Sequence, residues 1–364
     1  MFPKLVSDIT TTNLETCRKV GLKNFKFEIV TDTCLNTKTA NCVREIVVPS
    51  EYRTPNNSLF KARALHYCLS TNINILSRDD WIVHLDEETL LTESVIHGIV
   101  DFISKPDSNI GQGVITYAGC GIENWVTTLL DGVRVAIDHG LFRFGLEFLK
   151  IPVFGFKGSF VVVKTGIEQQ VGFDFGPKEC IAEDLRFALT AWSQGYKFDF
   201  IHGVMKEKSP FSISDYMKQR KRWFIGHYHI VWSNTLPLYC KIFILPMNIV
   251  NMFLWTNILS IGMSYFIPTP LMKWQVLMYA FMTVHILFML VFGNFKSFCY
   301  KRYSLGFRLF ISFLAQLMLP ILMVVEALAT LQGLRDRNKI AFDIVKKETK
   351  SSSMWDSQLE SIVY

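Results

Sequence analysis

The apolar positions divide the chain into two unlike halves. Up to about residue 230, short apolar stretches alternate with polar ones, and after residue 240 apolar residues run almost unbroken. In the first half, Lys26-Phe27-Glu28-Ile29-Val30-Thr31-Asp32 has the period of two of a half-buried strand and ends in a carboxylate. Residues 43–48 predict a second strand, and 81–85 a buried strand of the parallel-sheet kind. Further strands are predicted at 113–117, at 158–163 behind a glycine, and at 196–201. Between them, residues 8–20 are polar and helix-compatible, 59–69 have the apolar spacing of a helix, and 123–148 read as long helical material. Residues 212–218 lack Gly and Pro and start a helix that runs into Gln219-Arg220-Lys221-Arg222-Trp223. Alternating helices and strands predict an α/β sheet. Ligands of such sheets bind beyond the carboxyl ends of strands, where Asp32 and Asp86 both fall.

The second half holds three uncharged or nearly uncharged runs, 242–272, 274–295 and 309–325, in which His285 is the one ionisable group. Each is close to the roughly 20 residues that cross a bilayer as a helix, so three spans are predicted. Composition agrees: half of the 364 residues are hydrophobic and the mean hydropathy is +0.24. The net charge of +6 is not spread as a basic stripe interleaved with aromatics, which speaks against nucleic acid. Basic residues instead flank the apolar runs. Lys218, Arg220, Lys221 and Arg222 precede the first, and Lys296, Lys301, Arg302 and Arg308 lie between the second and third. Both groups should face the cytosol, and the polar half with them. A third crossing would put Arg335, Arg337, Lys346 and Lys347 on the far side, so the last run is either re-entrant or interfacial, or the topology differs. Eight cysteines without paired spacing speak against structural zinc and a disulfide framework. Met1 to Val6 is too short for the apolar core of a signal peptide.

Two groupings carry candidate chemistry. If Asp86-Glu87-Glu88 continues a strand, Asp86 and Glu88 project to one side and could hold a divalent cation, Mg²⁺ or Mn²⁺ by their oxygen-only character. On a helix, Gln219, Arg222 and Trp223 share one face. That face offers a guanidinium for phosphate, an amide for hydroxyls and an indole wall for a sugar ring. The competing reading is a basic amphipathic helix on an anionic membrane, and Lys218, Arg220 and Lys221 are read as membrane-surface charges. His84, in a buried strand, reads as a satisfied core histidine.

Glu45-Ile46-Val47-Val48-Pro49, Lys61-Ala62-Arg63-Ala64-Leu65, Asp80-Trp81-Ile82-Val83-His84-Leu85-Asp86-Glu87-Glu88-Thr89-Leu90-Leu91-Thr92, Lys157-Gly158-Ser159, Glu183-Asp184, Ser193-Gln194-Gly195-Tyr196, Glu207-Lys208-Ser209-Pro210-Phe211 and Gln219 to Trp223 follow one another in this order. On these residues the chain resembles the egghead-type β-1,4-mannosyltransferases of glycosyltransferase family 2, which act on glucosylceramide. The resemblance implies a GT-A-like nucleotide-diphospho-sugar transferase domain at 1–230, facing the cytosol and incomplete at its N-terminus, because the family places a first strand before the segment matching Met1 to Val6. A membrane region of about three helices at 231–334 and a polar tail at 335–364 would follow. Implied roles are Asp184 as general base with Glu183 orienting the acceptor, and Asp32, Lys61, Asp86, Gln219, Arg222 and Trp223 around the nucleotide sugar. Gly158, Ser159 and Trp223 would meet the acceptor, and Asp86 and Glu88 the cation. The implied partners are GDP-mannose, glucosylceramide and the bilayer of the Golgi or endoplasmic reticulum. Alternatives are a polysaccharide synthase, a polyprenyl-phosphate sugar transferase, or an inactive truncated membrane paralogue. A small transporter would need ionisable groups at mid-membrane, and His285 alone qualifies.

Overall fold

The computed structural model describes residues 3–35, 42–264, 266–267 and 272–339; Lys346 and Lys347, with the rest of the predicted tail from 340 on, lie outside them. Helix α1 (Pro3–Lys19) leads into β1 (Phe27–Thr31) and β2 (Val43–Val47), and α2 (Phe60–Cys68), β3 (Trp81–His84), α3 (Glu93–Ile103) and β4 (Ile110–Thr116) follow. Next come α4 (Trp125–Leu130) and α5 (Gly132–Ile137), continued by π-helical turns to Leu149, then β5 (Val161–Lys164), α6 (Thr165–Val171), α7 (Gly176–Glu179) and α8 (Glu183–Ser193). The first half closes with β6 (Phe198–Lys206) and α9 (Ile213–Val231). Three helix starts in this half carry a side chain that satisfies free N–H groups. Thr92 accepts from Val95 at α3, Asn124 from Val126 and Thr127 at α4, and Ser212 from Asp215 at α9.

The strands make two sheets. β1 and β2 pair in parallel from Phe27 opposite Val43 to Thr31 opposite Val47. The other sheet has the order β3-β5-β4-β6, with β5 antiparallel to both neighbours and β4 parallel to β6. Two sequence expectations are corrected here. β3 is half-buried and its ladder partner is antiparallel β5, so its apolar run does not mark a parallel strand. The helical stretch 123–148 is broken into α4, α5 and the π-helical turns. The second edges of β1 and β3 have no ladder partner among the described residues, and Ile29 and Val83 line one common cavity.

The second half comprises α10 (Leu238–Lys241), α11 (Ile244–Met252), α12 (Leu254–Ser264), α13 (Lys273–Ser297), α14 (Leu305–Gln316) and α15 (Leu319–Asp336). α13 is long and apolar enough to cross a membrane; α11 with α12, bent by 41°, and α14 with α15, bent by 51°, would bring the total to three if each pair is one span. α13 docks on the first half without intervening side chains. A Cβ at Gly293 would stand 1.7 Å from the Gly132 carbonyl oxygen. Buried Asn294 donates to the Leu129 oxygen at 2.9 Å, and Ser297 Oγ receives the Tyr117 and Ala118 N–H groups. α15 lies along α9, with Glu326 3.2 Å from Arg220, Asp336 2.9 Å from Lys221, and the Arg337 carbonyl 2.8 Å from His229. At the two ends of the α14–α15 pair, Arg308 donates to the Phe295 carbonyl near the end of α13, and Asp336 meets Lys221 of α9.

Candidate active site

The acidic triplet follows β3 as a turn. The strand ends at His84, so Asp86 and Glu88 are placed by a loop and not by strand alternation, which corrects the reasoning that put them on one side. The turn is clamped from below. Asp86 N–H donates to Thr89 Oγ1 and Ser159 Oγ, Thr89 N–H to the Asp86 oxygen, and Thr89 Oγ1 to Glu207 Oε1 at 2.7 Å. Thr89, Ser159 and Glu207 are buried, and the hydroxyl of Ser159 serves this clamp. His84 bonds Glu168 at 2.7 Å, which satisfies it in place.

Asp86 faces Lys61 from α2. The ammonium lies 2.6 Å from Asp86 Oδ1, 3.1 Å from the Gly158 oxygen and 3.7 Å from Glu183 Oε1. Burial disfavours the charge on Lys61, but Asp86 and Glu183 outweigh it and hold the pKa above the usual lysine value. Glu183 and Asp184 open α8. Burial pushes the Glu183 carboxyl up to about 7, helped by the charge of Asp184 beside it, and burial also raises Asp184. Asp184 Oδ1 accepts the Leu185 N–H at 2.7 Å, which fixes its orientation. Gly158 faces this group so closely that a Cβ there would stand 3.1 Å from Lys61 Nζ and 3.4 Å from carboxylate oxygens of both Asp184 and Glu183.

α9 supplies the opposite wall. Gln219, Arg222 and Trp223 line the same cavity of about 1650 Å³ as Lys61, Asp86, Glu88, Gly158, Ser159, Glu183 and Asp184. Gln219 is buried, and its Oε1 has no hydrogen-bond partner among the described residues. Two guanidinium groups lie against the Trp223 ring, Arg134 at 4.7 Å and Arg220 at 4.6 Å from its centroid. Arg220 and Lys221 are therefore not the membrane-surface charges that their run suggests. Arg220 pairs with fully buried Asp131 at 3.1 Å and with Glu326, and Lys221 pairs with Asp336. Asp32 lines the far reach of the cavity with a largely exposed carboxylate, 2.5 Å from Arg63. Asp131 and Arg134 were missed in the sequence; their signal was an ion pair at helical spacing inside an otherwise apolar stretch.

The carboxylates and cations of this cavity can neutralise a diphosphate and accept a proton from a hydroxyl in one enclosure. Among the described residues, no three His, Cys, Asp or Glu side chains form a metal site by themselves. Asp86 and Glu88 both line the cavity, and their oxygen donors suit a cation that takes one or two carboxylates and completes its shell with water and substrate phosphate.

The family model "Glycosyl transferase family group 2" matches residues 81–296. The chain is 43% identical over 353 residues to the β-1,4-mannosyltransferase egh of Drosophila melanogaster, covering 96% of this chain and 76% of the relative. It is 41% identical over 355 residues to the β-1,4-mannosyltransferase bre-3 of Caenorhabditis elegans, covering 96% and 77%. A cavity with these side chains and this degree of likeness lead to one conclusion: the chain belongs to glycosyl transferase family group 2, among the egghead-type β-1,4-mannosyltransferases, and is a glycosyltransferase.

Proposed function

We propose that the chain moves mannose from GDP-mannose to glucosylceramide in a β-1,4 linkage, with inversion, at the cytosolic face of the Golgi or endoplasmic reticulum. The observation that carries this reading is the convergence of Lys61, Asp86, Glu183, Asp184, Gln219, Arg222 and Trp223 on one cavity that α11 and α15 also line. In the proposed step, the acceptor hydroxyl oxygen forms a bond to the anomeric carbon as the bond to the diphosphate oxygen breaks. The hydroxyl proton passes to Asp184, and GDP leaves with the bonding electrons. One displacement at one carbon inverts its configuration, which matches an α-linked donor and a β-linked product.

Burial supports the role of Asp184, because a carboxylate raised above its usual range is a stronger base at neutral pH. Lys61 and Arg222 would offset the charge growing on the leaving diphosphate, and Gln219 has a buried carbonyl oxygen ready for a sugar hydroxyl. Asp32 would bind the base or ribose of the nucleotide. A divalent cation held by Asp86 and Glu88 would add Lewis-acid stabilisation of the departing diphosphate. The basic residues on either side of α13, the attachments of α15 to α9, and the apolar helices support a multi-pass protein whose transferase half faces the cytosol.

The test uses membranes expressing the chain, supplied with glucosylceramide and radiolabelled GDP-mannose or UDP-sugars, with and without a chelator. Mannose transfer from GDP-mannose that the chelator abolishes is the expected result. Transfer from a UDP-sugar in its place, or a polymeric product, would sink the assignment.

A further inference from the structure

One end of the cavity is bounded by α11, which contributes Ile244, Met247, Asn248 and Asn251 to its lining, while Phe142 and Phe154 line it from the segment after α5. Met247 is 45% exposed, so the cavity reaches the surface beside α11. An apolar ridge surrounds this mouth. The Phe154 ring lies 5.4 Å from Phe243, one helical turn before Met247, and 6.4 Å from Phe144, which in turn meets Phe148 at 5.9 Å. Phe144, Phe148, Leu149, Ile242 and Phe243 are all exposed. The ridge continues directly into the apolar surface of α11 and α12, so the medium that covers those helices covers it too. A second observation points to a ligand. Asn248 is only 3% exposed, and its Oδ1 is buried without a hydrogen-bond partner among the described residues. A buried carbonyl oxygen is costly to leave unbonded, and a ligand hydroxyl or amide N–H would satisfy it.

We infer that this mouth is a lateral port for an amphiphilic acceptor. The polar head sits in the cavity, and the hydrocarbon leaves between residues 141–154 and α11 into the surrounding leaflet. Asn248 accepts a hydrogen bond from a hydroxyl or amide N–H where head and hydrocarbon join. The inference rests on the transferase reading above, and it makes the acceptor's hydrocarbon part of what is recognised. A water-soluble saccharide has no use for an apolar exit.

The first test uses vesicles containing glucosylceramide with a diazirine in its acyl chain. Photolabelling should mark residues 141–154 and 243–251, and label confined to α13 and α14 overturns the port. In parallel, Asn248→Leu should raise the KM for vesicle-borne glucosylceramide roughly 3- to 10-fold more than that for GDP-mannose. Phe148→Ser, at a side chain 69% exposed, should lower the ratio of transfer to vesicle-borne glucosylceramide over transfer to soluble methyl glucoside by about tenfold. Unchanged ratios in both variants overturn the port. Label at the port on a protein that transfers no mannose overturns the transferase reading and leaves the port standing.

Discussion

The Lys61 ammonium and the Asp86 carboxylate face each other at 2.6 Å, and the same ammonium is 3.7 Å from Glu183. A single side chain from α2 thus joins the loop after β3 to the start of α8. Without it, the carboxylates of Asp86, Glu183 and Asp184 would repel one another across a buried space.

Replacing Lys61 with Met should therefore move the acid limb of the pH–rate profile upward. Glu183 has a raised pKa of about 7 with the ammonium present, and loss of a nearby positive charge disfavours the ionised form further. Asp184 must be ionised to take the proton and is held down by the same ammonium, so kcat/KM should begin to fall at a higher pH in the variant than in the native chain. A limb that stays in place or moves to lower pH would show that Lys61 does not set this ionisation.

Asp184→Asn should lower kcat by about 10²- to 10⁴-fold, the usual contribution of a general base. Donor binding should change little, because the amide keeps the shape and can still accept the Leu185 N–H. Single-turnover kinetics with a direct measurement of GDP-mannose affinity separates the two quantities. Retained turnover would remove Asp184 from the proton-transfer step. By contrast, Glu183→Gln should leave substantial turnover and shift the acid limb to lower pH, since it removes the group whose pKa is near 7.

Strands and helices were legible in the sequence wherever their signal was local. The alternation at β1, the apolar run of β3 and the Gly- and Pro-free start of α9 at 212–218 all placed elements within a few residues. What could not be read depended on partners far away in the chain. Arg220 and Lys221 look like membrane-surface charges beside Trp223, because Asp131, Glu326 and Asp336, which bury them, come from α4–α5 and α15. The sides taken by Asp86 and Glu88 depended on where β3 ends, and that is decided by the clamp from Ser159 and Thr89. Asn248 was hidden in an apolar run, and only the cavity singles it out.

Asp131 is fully buried between Arg134, Arg220 and the Ser209 hydroxyl. Asp131→Leu removes the shared counter-charge of two buried guanidinium groups, and breaking such a pair from one side costs about 3–5 kcal/mol. The variant should unfold at a clearly lower temperature in detergent. Transfer should also fall under conditions where it remains folded, because Arg134 and Arg220 both pack against the Trp223 ring. An unchanged unfolding temperature would mean that the pair is solvated in the protein as it exists.

The attachments of α15 to α9 predict the side of the membrane on which Lys339 lies. Asp336 is bonded to Lys221 of α9, and Lys339 reaches back to Asp336 at 2.8 Å while remaining exposed. Had α14 and α15 crossed the bilayer, residue 339 would stand on the opposite side from the transferase half. The Asp336–Lys221 pair instead predicts that residue 339 stands on the same side as α9. In sealed vesicles, a membrane-impermeant maleimide should therefore reach a Lys339→Cys variant and exposed Cys34 from one face together, with Cys299 replaced by Ser to remove the other exposed thiol. Labelling of the two thiols from opposite faces would require α14 and α15 to span the membrane, and the ion pairs between α15 and α9 could not then exist.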